Sequence, residues 1–212
     1  MARPAFRDRR SAGEALATLL SPYDAQPNVL VLGLARGGVV VAYSVAQALH
    51  LPMDVFVVRK IGAPGHVELA LGAVASGGIV VLNEDVIRSL GIGPEELSPI
   101  AAAEERELRR REAAYRGDRA PESFRDRTVI LVDDGMATGA SMRAAVSAVR
   151  RQGAGRVVVA LPTAPVGAES SLGAGVDEFV CVITPSPFIA VSRSYRQFGQ
   201  TSDQEVVELL GG

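Results

Sequence analysis

The sequence predicts an α/β protein: a largely parallel sheet flanked by helices, with a helical insertion and a small hood. Three observations predict it. Short apolar runs at 28–32, 53–58, 128–132, 157–161 and 179–183 alternate with helix-like stretches, the order of a parallel sheet joined by crossover helices. The runs are apolar at successive positions rather than at every second one, so both of their faces are buried. Turns rich in small residues follow the runs ending at Leu32 and Val132, where open parallel sheets bind their ligands.

Each element has its own local cause. Ser11 and Glu14 have the spacing of a capping box ahead of Ala15, Leu16, Leu19 and Leu20, which predicts a short amphipathic helix ending near Pro22. Residues 28–32 read as a buried strand, 33–38 as a turn, and 39–50 as a helix that Pro52 breaks and His50 caps. Residues 53–58 read as a second buried strand that ends in Arg59 and Lys60. The glycines and proline of 61–68 predict a loop, and 69–75 with 79–82 flank Ser76, Gly77 and Gly78 as a hairpin. Asn83 is placed to cap a short helix to Leu90, and 94–115 reads as a long charged helix. In that helix Glu105/Arg109 and Glu107/Arg111 stand four apart, as on a solvated face that pairs with itself. A strand at 128–132, a loop to Thr138 and a helix to Gln152 come next. Strands at 157–161 and 179–183 enclose a poor helix, and 203–210 reads as a last helix. No repeat and no long linker interrupts the order. Residues 1–212 are therefore expected to form a single domain, with 83–121 as a helical insertion and 184–212 as a C-terminal hood or tail.

Composition narrows the function. The chain has 212 residues, 48% of them hydrophobic, a net charge of −2 and a pI near 5.8. An acidic balance argues against nucleic acid as the main ligand, because a phosphate backbone demands a basic face. The longest apolar region, 29–45, is interrupted by Arg36 and glycines and makes a poor membrane span. The lone Cys181 permits no internal disulfide, and no signal-peptide run opens the chain, so a cytoplasmic location is expected. Of the 22 basic residues only Lys60 is lysine. A lysine kept where arginine serves everywhere else marks either chance or a place where a compact charge matters.

The informative segment runs from 128 to 142. A buried strand enters Asp133 and Asp134, and the small-residue loop Gly135, Met136, Ala137, Thr138, Gly139, Ala140 opens a helix at Ser141 with apolar positions at Met142, Ala145, Val146 and Val149. A helix N-terminus offers unpaired N–H groups and a partial positive charge suited to phosphate. Small side chains let the backbone close on it, and Thr138 and Ser141 add hydroxyl donors. The paired carboxylates suit the two hydroxyls of a ribose, directly or through Mg²⁺. An ordinary strand–turn–helix with Asp134 as cap shares the same spacing. Neither Gly-x-x-x-x-Gly-Lys-Ser/Thr nor a Gly-x-Gly-x-x-Gly after a strand occurs.

This segment resembles the phosphoribosyl pyrophosphate (PRPP) motif of the type I phosphoribosyltransferases, in the version 132–142 closest to the adenine enzymes. The resemblance implies a type I phosphoribosyltransferase-like core, with Asp133 and Asp134 on the ribose hydroxyls and Ala137 to Ser141, with Gly135 and Met136, around the 5′-phosphate. It implies that the loop at 33–38 binds pyrophosphate through Gly37, Gly38 and Arg36, and that Arg59 and Lys60 lie near the same group. Catalysis would then rest on Arg36, Lys60, Asp133 and Asp134, with Mg²⁺ held mainly through the ligand. The loop at 61–68 is similar to the family's mobile catalytic loop and brings His66 into question as a contact. Phe188, Tyr195 and Phe198 are candidates to stack on a base, plain core packing being the other reading of each. The implied reaction transfers 5-phosphoribosyl from PRPP to a nitrogen heterocycle, a purine, pyrimidine or related base, and releases pyrophosphate. A non-catalytic PRPP or nucleotide regulator using the same pocket is the alternative. Ala137 stands where hypoxanthine–guanine enzymes carry an aspartate, which weakens a 6-oxopurine acceptor without establishing adenine. A homodimer is left open.

Overall fold

The structure, a computed structural model, describes residues 5–64, 66–117 and 119–211. In chain order its elements are α1 (Arg9–Leu19), β1 (Val29–Leu34), α2 (Gly37–Ala48), β2 (Met53–Phe56), β3 (Val58–Ala63), β4 (His66–Ala75), β5 (Ile79–Leu82), α3 (Glu84–Leu90), α4 (Pro94–Arg116), β6 (Thr128–Val132), α5 (Ala140–Arg151), β7 (Arg156–Thr163), β8 (Glu178–Ile183) and α6 (Asp203–Leu209). The five apolar runs supply an all-parallel sheet in the order β2-β1-β6-β7-β8. This is the largely parallel sheet flanked by helices that the sequence predicted.

Strand pleating explains why the runs at 29–32, 129–132, 157–161 and 179–183 are apolar throughout. Successive side chains leave opposite faces, and both faces are covered. Leu30, Leu32, Leu34, Val129, Leu131, Val157, Val159 and Leu161 pack with Met142, Ala145, Val146 and Val149 of α5. Val29, Val31, Ile130, Val132, Val158 and Ala160 pack with Leu16 and Leu20 at the α1 end and with Val41 and Val45 of α2. Each valine, leucine, isoleucine or methionine among them, fully buried, contributes about 1.5–3 kcal/mol.

Two expectations are corrected. The capping box lies a turn earlier than Ser11 and Glu14: the Asp8 carboxylate accepts the Ser11 N–H, and the Ser11 hydroxyl accepts the Asp8 N–H. A carboxylate at the cap also faces the positive helix end, so the helix begins at Arg9. The second correction is larger. The run expected as one strand over 53–58 splits at Val57, whose N–H is taken by the Ser76 hydroxyl at 2.9 Å. From Val58 the chain enters a separate antiparallel sheet, β3-β4-β5. Most of the segment expected as a loop at 61–68 is therefore strand, pairing Ile61 with Gly72 and Ala63 with His66. Ile61, Ala63 and Leu71 are held there by a small core with Val86, Ile87, Leu90, Leu97 and Ile100 of α3 and α4. The hairpin turn at 76–78, the Asn83 cap of α3, and the Glu107–Arg111 pair at 2.8 Å follow the sequence reading. Past α2, His50 has positive φ and its Nδ1 stands 3.0 Å from Asp24.

Candidate functional site

The site forms where β6 ends. Asp133 Oδ1 accepts the Asp134 N–H at 2.8 Å, closing a tight turn that keeps both carboxyls at the strand end. Burial, and next the charge of Asp134, push the Asp133 carboxyl well above the usual range. Burial pushes Asp134 up as well, and Arg9 works against it. Arg9 Nε and Nη2 stand 2.8 and 2.7 Å from Asp134 Oδ2, and Nη1 donates to the Gly199 carbonyl at 2.6 Å. The guanidinium lies 4.0 Å over the Phe198 ring. The Tyr195 hydroxyl donates to the main-chain carbonyl of Asp134. Sequence reasoning missed Arg9. Its only available signal was general: a buried carboxylate pair needs a cation.

The loop after β1 presses on the same acids. Arg36 precedes α2, the Ala35–Arg36 peptide is cis, and α2 opens with Gly37 and Gly38. A Cβ on Gly37 would sit 2.1 Å from Asp134 Oδ2, and one on Gly38 would sit 2.8 Å from the Asp133 Cα. Only glycine permits this approach. Arg36 Nη1 lies 3.6 Å from Asp203, at the start of α6, and the Tyr115 hydroxyl donates to the same Asp203 oxygen at 2.7 Å.

Beyond the acids, Met136 anchors the loop: its N–H donates to the Thr163 carbonyl at 3.0 Å and its side chain is buried under α5. Gly139 turns the chain into α5 with φ of 74° and no side-chain cap, so the first-turn N–H groups of the helix remain available to an anion. Ala137, Thr138, Ala140 and Ser141 are exposed on this turn. Arg143 straps it from outside, donating to the Thr138 and Ser171 carbonyls at 2.9 and 3.3 Å.

Ala140 and Ser141 share a cavity of about 560 Å³ with Lys60, Val58, Leu82 and Arg143. Lys60 thus lines one cavity with the start of α5, while Arg59 does not. Neighbouring residues of a strand point to opposite faces, and Arg59 is turned to α4, where it pairs with Glu104 at 2.6 Å. His66 opens β4, but its side chain lies outside the described residues. Tyr195 is buried against Phe6 and Phe198, at ring distances of 5.5 and 4.9 Å, and Phe188 is half-buried. The structure therefore brings together Asp133, Asp134, Gly37 and Gly38, and separately Lys60, Ala140 and Ser141. Among the described residues no three His, Cys, Asp or Glu side chains converge on a metal position, and no helix is long and apolar enough to cross a membrane.

Comparison with known proteins bears on this arrangement. The family model of the phosphoribosyl transferase domain matches residues 9–170. A Mycobacterium tuberculosis protein, named provisionally as a phosphoribosyl transferase, is 43% identical over 205 residues, covering 97% of this chain and 46% of its own length. The chain thus spans about half the length of the curated relatives it matches. The crystal structure of the Thermus thermophilus protein TT1426 aligns with 99% of this chain and 98% of its own, at a TM-score of 0.84 and 45% identity. A Neisseria gonorrhoeae protein crystallised with bound ppGpp shares the fold, at a TM-score of 0.51 and 14% identity over 87% of this chain and 85% of its own.

Proposed function

The chain belongs to the phosphoribosyl transferase domain family, and from that premise we propose that it transfers the 5-phosphoribosyl group of PRPP to a ring nitrogen of a heterocyclic base and releases pyrophosphate. One observation carries the reading: the acid pair at the end of β6 and the uncapped start of α5 are the two ends of one short loop, 135–139, with Gly37 and Gly38 against the acids. In this reading they offer places for a phosphate, a diol and a second phosphate of one ligand. In this reading the N–H groups and hydroxyls of 137–141 hold the 5′-phosphate. Asp133 and Asp134 hold the ribose hydroxyls. Arg36 and Lys60 stabilise the departing pyrophosphate, whose growing charge is what catalysis must offset. Arg59, committed to Glu104, stands outside this set. Tyr195 and Phe198 brace the acids, which leaves Phe188 as the aromatic proposed for the base.

Mg²⁺ fits the donor set. Two carboxylates, joined by no third His, Cys, Asp or Glu among the described residues, suit an ion that keeps its waters and takes the rest of its shell from substrate phosphates. When bound it would neutralise pyrophosphate oxygens. We further propose that residues 1–212 act as one domain, with 83–121 an insertion that covers the second sheet and 184–212 a hood. The test is PRPP-dependent pyrophosphate release with Mg²⁺ across a panel of purines, pyrimidines and smaller heterocycles. Release with one base names the acceptor. Tight PRPP binding with no release for any base would replace the transferase by a PRPP-binding regulator.

A further inference from the structure

We propose that Arg9 is a positioning residue for ribose recognition: it fixes one oxygen of Asp134 and leaves the other for a sugar hydroxyl. The proposal rests on the reading of the acid pair as the ribose site.

The contact is one-sided. Arg9 Nε and Nη2 both converge on Oδ2, at 2.8 and 2.7 Å. Among the described residues no side chain donates a hydrogen bond to Oδ1. A guanidinium that blocked the carboxylate would cover both oxygens in parallel, as a fork does; here it grips one edge. The pair is also shielded, with 12% of the Arg9 side chain and 17% of the Asp134 side chain exposed, so its attraction is little screened.

Arg9 is itself immobilised. It is the first residue of α1, directly after the Asp8 cap. Its guanidinium lies between the Phe198 ring, at 4.0 Å, and the Gly199 carbonyl, at 2.6 Å. Phe198 packs on Tyr195 at 4.9 Å, and the Tyr195 hydroxyl holds the main-chain carbonyl of Asp134. Residues 195–199 therefore grip Asp134 twice, by its backbone directly and by its side chain through Arg9. Gly37 completes the device. A Cβ there would lie 2.1 Å from Oδ2 and 2.9 Å from Arg9 Nε, so the absence of a side chain opens the channel in which the ion pair runs. A carboxylate fixed before the sugar arrives is not ordered at the expense of binding.

The experiment is calorimetry on the full chain, at fixed Mg²⁺ and salt, with PRPP and with inorganic pyrophosphate, which has no ribose hydroxyls. Arg9→Met should weaken PRPP by about ten-fold or more, the range for a lost charged hydrogen-bond partner, and leave pyrophosphate nearly unchanged. Arg9→Lys, which restores charge but not the two-nitrogen grip, should recover part of the loss. Equal losses for both ligands, or no loss for PRPP, overturns the proposal. Should Arg9→Met fail to fold, Phe198→Leu removes the face under the guanidinium, and the same selective loss is expected of it; unchanged PRPP affinity overturns the proposal there. A wild-type chain that binds pyrophosphate but no PRPP overturns the reading of the ribose site, a failure distinct from a variant that matches a PRPP-binding wild type.

Discussion

Two adjacent pairs of like charge, Asp133–Asp134 and Arg59–Lys60, stand in the sequence as equals, and the fold treats them oppositely. The acids lie just past the end of β6, in a turn that the Asp133 side chain closes on the Asp134 N–H. Freed from the pleat, both stay at one place. The bases lie inside β3, where the pleat sends neighbours to opposite faces: Lys60 toward α5 and Arg59 to Glu104 of α4. Like charges are concentrated where the strand has ended and separated where it continues. The cost follows the same line. Burial raises both acids, the charge of Asp134 raises Asp133 further, and Arg9 works against the rise at Asp134, whereas Arg59 meets its own counter-ion.

The strongest way to break this comparison is at the acids. Asp133→Asn with Asp134→Asn should lower PRPP affinity by about a hundred-fold or more, from two lost charged partners, in calorimetry on a chain whose circular dichroism is unchanged. Asp133→Asn alone should also raise the melting temperature at neutral pH, because burial and the charge of Asp134 make an ionised Asp133 less favourable in the native state than in the unfolded chain. The sign is definite: with the folded value raised, wild-type stability falls as pH rises through that titration, and the asparagine variant should lack the step. A melting temperature that drops instead would mean that the ionised Asp133 is held by partners the structure does not contain.

The bases give the next effect. Lys60→Met should weaken pyrophosphate and PRPP by about ten-fold, the scale of a lost charged contact. Arg59→Met should leave both affinities within about two-fold, yet lose about 1 kcal/mol of stability in urea unfolding, since a half-buried Glu104 loses its ion pair. Equal effects of the two variants on PRPP would show that the pleat does not separate their roles.

The legibility of the molecule divides along the same boundary. The parallel core and the turn from β6 into α5 could be read because their determinants are contiguous: an apolar run, two acids, small residues, an amphipathic helix. The β4–β5 hairpin of the second sheet could be read as well, but β3 could not, because the glycines and proline at 61–65 carry loop chemistry and what makes 58–63 a strand is tertiary, the burial of Ile61 and Leu71 against α3 and α4. Arg9 was hidden for a related reason. It stands 125 residues from Asp134, and nothing local distinguishes it from the arginines beside it. Tyr195 and Phe198 were visible as unusual aromatics but not as braces, since the bonds that make them so run to a backbone carbonyl and to a guanidinium on another element.

The smallest effect sharpens the comparison on its cationic side, at Asp203. Its carboxylate lies 3.6 Å from Arg36, with 58% of its side chain exposed, and accepts the Tyr115 hydroxyl at 2.7 Å. A long, exposed ion pair contributes little, so Asp203→Asn should tighten pyrophosphate by no more than about two-fold as Arg36 is released, and only at low salt. The Tyr115 phenol reports the same change independently. Burial first, and next the bond to Asp203, push it up to about 12. Removing the carboxylate charge should lower that titration in ultraviolet absorbance while burial keeps it above an ordinary tyrosine. If the phenol titration moves and pyrophosphate affinity does not, Arg36 draws nothing from Asp203. The anion-binding side of the site would then work without the bracing from the chain ends on which Asp134 depends.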